Sequence, residues 1–279
     1  MRRVGRGFWA LLALGLGVVA ACGGDDDDGG AAGGSGGAAV GGGQPGGGGS
    51  GPGAGAGGGT SAGGGGGGGP VGGDACEGAE EHEGEGTYYD FADGSGNCSF
   101  PATPGDPFVA AMNATDYAGS AACGACIALT GPKGSVTVRI VDQCPECPAG
   151  DVDLHPGAFD RIAERAAGRV PIRWTYVPCE VSGPAVFHFK DGSSGYWTAV
   201  QVRNHRFAIA SVEYKKADGS WAAMGRESYN YFVEPAGFGT EGPYALRATD
   251  VRGGVVQNEA VAAVEEGEVE AGGQFPACE

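Results

Sequence analysis

The chain has 279 residues, with 17 basic against 34 acidic side chains and a formal net charge of −17. That balance argues against a nucleic-acid partner, which needs clustered Lys and Arg to neutralise phosphates, and suits an uncharged one. More than half of its 60 glycines lie before residue 76, so only the remainder of the chain can bury a core, enough for one large or two small domains.

Arg2, Arg3 and Arg6 open the chain, and the apolar run from Phe8 to Val19 is too short to span a bilayer comfortably. Val19-Ala20-Ala21 before Cys22 matches a bacterial lipobox. Residues 1–21 are therefore expected to be a lipoprotein signal peptide, with Cys22 lipidated and holding the chain to a membrane. An ordinary cleaved signal, with Cys22 incidental, is the competing reading. More than half of residues 23–75 is glycine, with no large apolar side chain, so segment 22–75 is expected to be a disordered tether. Its reach is roughly 40 Å for a Gly-rich coil of that length. No later segment is apolar enough to cross a membrane, so the rest is expected to be exported, lipid-anchored to the envelope or secreted.

Residues 76–181 read as a β-barrel with one or two helices. Gly86–Tyr89 is a short strand and Pro107–Met112 a helical turn. Cys126–Thr130 and Ser135–Val141 are strands around the turn Gly131–Gly134. An apolar strand ends in Asp142, and a second acid, Asp153, precedes a helix that Pro156 can start. That helix is expected over Pro156–Ala167, with Phe159, Ile162, Ala163 and Ala166 on one face and Gly168 closing it. Val170–Val177 returns as a strand. Acids at the mouth of a small barrel suit sites that cut or grip sugars. The bland alternative for Asp153 is a helix N-terminal acid facing exposed N–H groups.

The break falls near Glu180–Gly183. Residues 182–279 show no helical period. Val186–Lys190, Tyr196–Arg203, Ala208–Tyr214, Tyr229–Val233, Tyr244–Thr249 and Val255–Asn258 read as strands of an all-β sandwich. Beyond Cys22 there are eight cysteines, Cys76, Cys98, Cys123, Cys126, Cys144, Cys147, Cys179 and Cys278. Two Cys-x-x-Cys pairs would also fit a zinc ribbon. An oxidising compartment and an even set favour structural disulfides, with no metal and no cofactor. Spacing leaves the connectivity open, and a Cys76–Cys278 bridge pinning the two ends is the only pairing suggested.

The order and spacing of several motifs are informative together. They are Gly84-Glu-Gly-Thr-Tyr-Tyr89, Gly96-Asn-Cys-Ser99, Ala122-Cys-Gly-Ala-Cys126, Gly131-Pro-Lys-Gly134 and Val138-Arg-Ile-Val-Asp142. Further along come Asp153-Leu-His-Pro156, Lys190-Asp-Gly-Ser-Ser-Gly-Tyr-Trp197, Gln201-Val-Arg-Asn-His205 and Tyr229-Asn-Tyr-Phe-Val233. From Glu83 to Phe275 the chain resembles bacterial expansins. The resemblance implies a mainly β fold: a six-stranded double-psi β-barrel, related to one family of endoglucanases, followed by an immunoglobulin-like carbohydrate-binding sandwich. It also implies a protein that loosens noncovalent contacts between wall glucans without hydrolysis.

Carried over by the resemblance, Asp153 matches the essential acid, with Thr87 and Asp142 beside it in one groove. Tyr89 is offered by the same early strand, and Asp90 adjoins it. Lys190, Tyr196, Trp197 and Tyr229 form the sugar-binding surface, whose flat rings would stack on the apolar faces of pyranoses. Neighbouring strand residues face opposite ways, so Tyr196 and Trp197 share a surface only if Ser193-Ser-Gly195 makes a turn. Two departures stand out. Cys144-Pro-Glu-Cys147 replaces a groove tyrosine of many bacterial relatives, and Tyr196 stands where a tryptophan is usual. His205, Phe207 and Trp221 are assigned to structure. The expected partner is polysaccharide (cellulose, β-glucan, or peptidoglycan as the alternative), bound by a monomer. A true glycosidase, with Asp142 as base, and a purely adhesive protein are the competing functions.

Overall fold

The computed structural model describes residues 76, 79–90, 93–262 and 266–278. The expected signal peptide, Cys22 and the tether lie outside the described residues. Six strands, β1 (His82–Tyr88), β2 (Val109–Asn113), β3 (Cys126–Thr130), β4 (Ser135–Cys144), β5 (Val152–Leu154) and β6 (Val170–Val177), close a barrel in the order β1-β5-β2-β4-β3-β6. β1 pairs with β5, and β2 with β4, in parallel. β6 shows why its sequence makes a strand: Val170, Ile172, Trp174 and Tyr176 are buried while their neighbours face outward.

The structure corrects the expected helical turn at Pro107–Met112. Val109–Met112 belongs to β2, whose five residues are all buried. Alanine and methionine favour helix in isolation, but pairing on both edges with β4 and β5 overrides that preference. A short helix, α1 (Ala114–Tyr117), follows instead, capped by the Asn113 side chain accepting from Asp116 N. The second helix, α2 (Pro156–Ile162), is also shorter than expected. The Ile162 carbonyl accepts from Lys133 N at 2.8 Å in the Gly131–Gly134 turn. Ala163 is extended, and Arg165–Ala167 forms a separate 3-10 turn. His155, not Asp153, caps α2, its Nδ1 accepting from Gly157 N at 2.8 Å. Asp153 is a β5 residue, so the helix N-terminal reading of that acid is overturned.

Nine further strands build two antiparallel sheets. β7 (Val186–Phe189), β8 (Thr198–Arg203), β11 (Gly225–Arg226), β12 (Phe232–Glu234) and β15 (Gly267–Glu270) form one, in the order β11-β12-β8-β7-β15. β9 (Ile209–Lys215), β10 (Trp221–Ala223), β13 (Tyr244–Asp250) and β14 (Val255–Val261) form the other, in the order β10-β9-β13-β14. Phe187, Phe189 and Val200 from the first share a core with Val212, Leu246 and Val256 from the second. β10, β11 and β15 escape sequence reading because they are two to four residues long and carry little apolar signal. Tyr196, Trp197 and Tyr229, expected on strands, lie just ahead of β8 and β12.

The eight described cysteines form four disulfides: Cys76–Cys278, Cys98–Cys123, Cys126–Cys179 and Cys144–Cys147. The first Cys-x-x-Cys pair is thus split between two bridges, and only the second closes on itself. Among the described residues no cluster of His, Cys, Asp or Glu is arranged to hold a metal, and no helix is long and apolar enough to cross a membrane.

Candidate functional site

Strand register brings the acids together. Thr87 pairs with Asp153 across β1–β5, Asp153 with Ala111 across β5–β2, and Ala111 with Asp142 across β2–β4. Registered residues on neighbouring strands point to the same face. The four side chains therefore form one row, with small Ala111 as the floor between the acids. Two strand spacings put the Asp153 and Asp142 backbones about 10 Å apart. The β2–β4 register shifts between Ala110 and Ala111, and irregularities of this kind re-aim side chains at sites.

Each acid has one oxygen committed. Thr87 Oγ1 donates to Asp153 Oδ1 at 2.6 Å. Asp142 Oδ1 accepts from Asn97 N at 2.7 Å and from Gln143 N at 2.8 Å. Gly96 makes room for this arrangement, since a Cβ there would lie 2.5 Å from Asp142 Cβ. Partial burial raises the Asp153 pKa above the ordinary carboxyl value, Glu146 and Asp142 add to that, and the Thr87 hydrogen bond and Arg169 oppose it. Glu146 sits in the loop closed by Cys144–Cys147. Tyr89 is close enough that, after burial itself, Asp142 and Asp153 push its phenol further upward. Its hydroxyl is occluded and has no hydrogen-bond partner among the described residues.

The second group of residues lies on the outer face of the five-stranded sheet. Trp197 and Tyr229, both half-buried, lie against Ala199, Tyr231 and Val233. Tyr229 and Tyr231 have ring centroids 5.9 Å apart, and Lys190 Nζ lies 5.7 Å from the Tyr231 centroid. Ser194 N donates to Trp197 O at 2.7 Å, so the chain turns tightly here. Tyr196 stands at the tip of this turn, 78% exposed. The structure thus groups Lys190, Trp197 and Tyr229 around Tyr231, and leaves Tyr196 outside their ring contacts.

Asn97 joins the two groups. Its Nδ2 donates to Ser228 O and to Tyr117 Oη, both at 2.9 Å, while its backbone holds Asp142. Tyr117 Oη donates to Ser228 O at 2.9 Å, and Ser120 Oγ to Glu227 O at 2.7 Å. The turn that carries Tyr229 is thereby tied to the loop that positions Asp142. Sequence reasoning missed Asn97, Tyr231 and Glu146. Asn97 and Tyr231 lie in two of the motifs that carry the resemblance, and Tyr231 also falls two residues after Tyr229 in a strand-like segment. His205 is fully buried, with Nδ1 2.7 Å from Phe207 O, and burial pushes its pKa down to about 4. Trp221 lies under Lys215 and Arg247 on the other sheet.

A closed six-stranded double-psi barrel with an acid row, followed by antiparallel sheets with an aromatic outer face, defines an architecture shared by expansins. Residues 109–174 match a barrel family model described as lytic transglycolase. An expansin of Bacillus subtilis, YoaJ, is 38% identical over 181 residues, covering 63% of this chain and 77% of the relative. Two crystal structures of Clavibacter michiganensis expansin, one without ligand and one of a mutant in complex with cellohexaose, each match with a TM-score of 0.66 at 31% identity. Each match covers 72% of this chain and all of the other. The chain belongs to the expansin family.

Proposed function

We propose that this chain is an exported wall-loosening protein. In this reading residues 76–181 form a barrel module and residues 182–279 a carbohydrate-binding module. Trp197, Tyr229 and Lys190, with Tyr196 at the edge, hold an extended β-glucan such as cellulose. Asp153, with Thr87, Asp142 and Tyr89, competes for the hydroxyls and glycosidic oxygens that bind one glucan strand to the next. No bond is broken. The reading rests above all on one connection, in which Asn97 ties the acid Asp142 to the turn carrying Tyr229. The cellohexaose complex of the Clavibacter expansin supports the substrate class. Four disulfides fit an oxidising compartment, and Cys22 and the segment 22–75 would tether the protein, as a monomer, to its membrane.

The test is retention on insoluble cellulose, xyloglucan and peptidoglycan, with product analysis on the same samples. Retention on cellulose without soluble sugar is expected, and loosening of a cellulose network is expected to be lost in Asp153→Ala. Soluble oligosaccharides that vanish in Asp153→Ala would establish the second reading, glycan cleavage. That reading draws on the lytic transglycolase match over residues 109–174 and on Asp142 in the same row.

A further inference from the structure

A separate cleft of about 730 Å³ lies where the first half of β4, the start of β3 and the end of β6 meet residues 178–181 and Asn204-His205. That volume falls in the range of small-molecule sites, roughly 300–1,000 Å³. The ladder fixes its place. Val109 pairs with Arg139 and Ala111 with Asp142, so Arg139 stands three residues, about 10 Å, back along β4 from the acid row. The Cys126–Cys179 disulfide staples one wall.

Arg139 sets the chemistry. Its guanidinium carbon lies 5.3 Å from the Phe100 ring centroid. Burial lowers its pKa below the ordinary guanidinium value, and Asp106 opposes this only from beyond contact distance. Asp106 directs Oδ1 to Phe108 N at 2.9 Å. Among the described residues no carboxylate lies within ion-pair distance of Arg139. The other barrel arginines mostly differ: Arg165 pairs with Asp160, Arg169 with Glu85 and Asp151, and Arg173 with Glu81 and Glu83. A partly desolvated cation without a carboxylate is costly; Arg226 is buried without one too, but its guanidinium donates to the Ser120, Ile209 and Ala210 carbonyls. The lining mixes apolar groups, Phe100, Phe108, Val138, Pro178 and Val181, with polar ones such as Thr137 and Asn204, and Phe108 is 37% exposed. His205 brings no charge at neutral pH, because burial holds its pKa down to about 4.

We propose that this cleft is a second ligand site, taking a carboxylate borne on or next to a six-membered ring with an apolar face, with the carboxylate on Arg139 and the ring face against Phe108. The same chemistry comes from two sources: a uronic acid unit of an acidic polysaccharide, or an aromatic acid. Asp106 and Glu180 also line the cleft, so long-range attraction is weak. Affinity depends on the short-range guanidinium contact and is expected at a Kd on the order of 1 mM. The site stands apart from the glucan groove.

The test titrates the full chain with oligogalacturonate and, separately, 4-hydroxycinnamate, following NMR shifts and the thermal midpoint. At least one probe saturates and raises the midpoint. Oligogalacturonate alone identifies a polysaccharide uronate, hydroxycinnamate alone an aromatic acid, and both together the shared chemistry. Arg139→Met weakens that binding at least tenfold while retention on cellulose is unchanged. Because it removes an unpaired half-buried charge, it also leaves the ligand-free midpoint level or higher. Phe108→Ala, at the exposed rim, weakens binding without touching the cation and carries the test if Arg139→Met does not fold. Neither probe saturating by about 20 mM, or equal affinity in wild type and both variants, overturns the proposal.

Discussion

Asp153→Asn should stabilise the protein at neutral pH while impairing it. Asparagine keeps the shape and an oxygen that accepts from Thr87 Oγ1, but removes the charge. The folded protein raises the Asp153 pKa, chiefly through burial, then through Glu146 and Asp142. A carboxyl with a raised folded pKa favours folding most below its unfolded value, near 4, and that contribution is lost as pH rises through the folded value. The Asp142 part follows from the two strand spacings. Unit charges about 10 Å apart repel by about 1.7 kcal/mol at an effective dielectric near 20. Screening over a Debye length of about 8 Å leaves roughly 0.5 kcal/mol, or a midpoint gain of about 1–2 °C for a unit of this size. Relief of burial adds in the same direction. Calorimetric scans at pH 7 and pH 3 check this: the gain should appear at pH 7, shrink in 1 M salt and vanish at pH 3. Retention on cellulose should fall about tenfold with the loss of a charged hydrogen-bonding group. A lower midpoint at pH 7, or an equal gain at pH 3, would refute the electrostatic account.

Asn97→Ala keeps the backbone donor to Asp142 but loses the bonds to Ser228 and Tyr117. Affinity for long cello-oligosaccharides should drop about fivefold toward that for short ones, which should not change, because only a long chain spans both surfaces; calorimetry across chain lengths reads this out. Trp197→Ala and Tyr229→Ala should each weaken cellulose retention by roughly 10–30-fold, from about 1.5–2 kcal/mol of lost apolar burial. Tyr196→Ala should cost less, since its ring stands outside the cluster; depletion isotherms on cellulose give the ranking. Gly96→Ala forces a Cβ to 2.5 Å from Asp142 Cβ, so denaturant melts should show a loss of about 1–3 kcal/mol.

Fold class was legible because it rests on segments with clear signals. The alternation in Val170–Val177 and the apolar run into Asp142 are properties of the strands themselves. β2 and β5 were not legible for opposite reasons. β2 is buried on both faces and so loses the period of two, and β5 is three residues long. The end of α2 was set from outside, by a carbonyl accepting from a distant turn. At the site, acids beside a small barrel have recognisable chemistry, which singled out Asp142 and Asp153, whereas Trp197 and Tyr229 were chosen only through the resemblance to expansins. Asn97 could not be found this way. Its role comes from three donors reaching atoms 20, 45 and 131 residues away, and the motif Gly96-Asn-Cys-Ser99 marks its position without revealing that role.

Whether the groove grips or cuts turns on Asp142. An inverting hydrolase needs two carboxyls roughly 6.5–9.5 Å apart with a water between them. Backbones about 10 Å apart on one face over a small Ala111 floor do not forbid that spacing. What weighs against cutting is how Asp142 is held. One oxygen carries two backbone N–H groups, and Gly96 packs directly on its Cβ and Cγ. The side chain is therefore fixed as a wall of the groove, with a single oxygen free to accept one sugar hydroxyl. On this account Asp142→Asn and Asp153→Asn both weaken retention on cellulose, and neither wild type nor variant releases soluble sugar. A cutting enzyme gives the opposite pattern: products from the wild type fall at least a hundredfold in each variant, while the uncleaved chain stays bound.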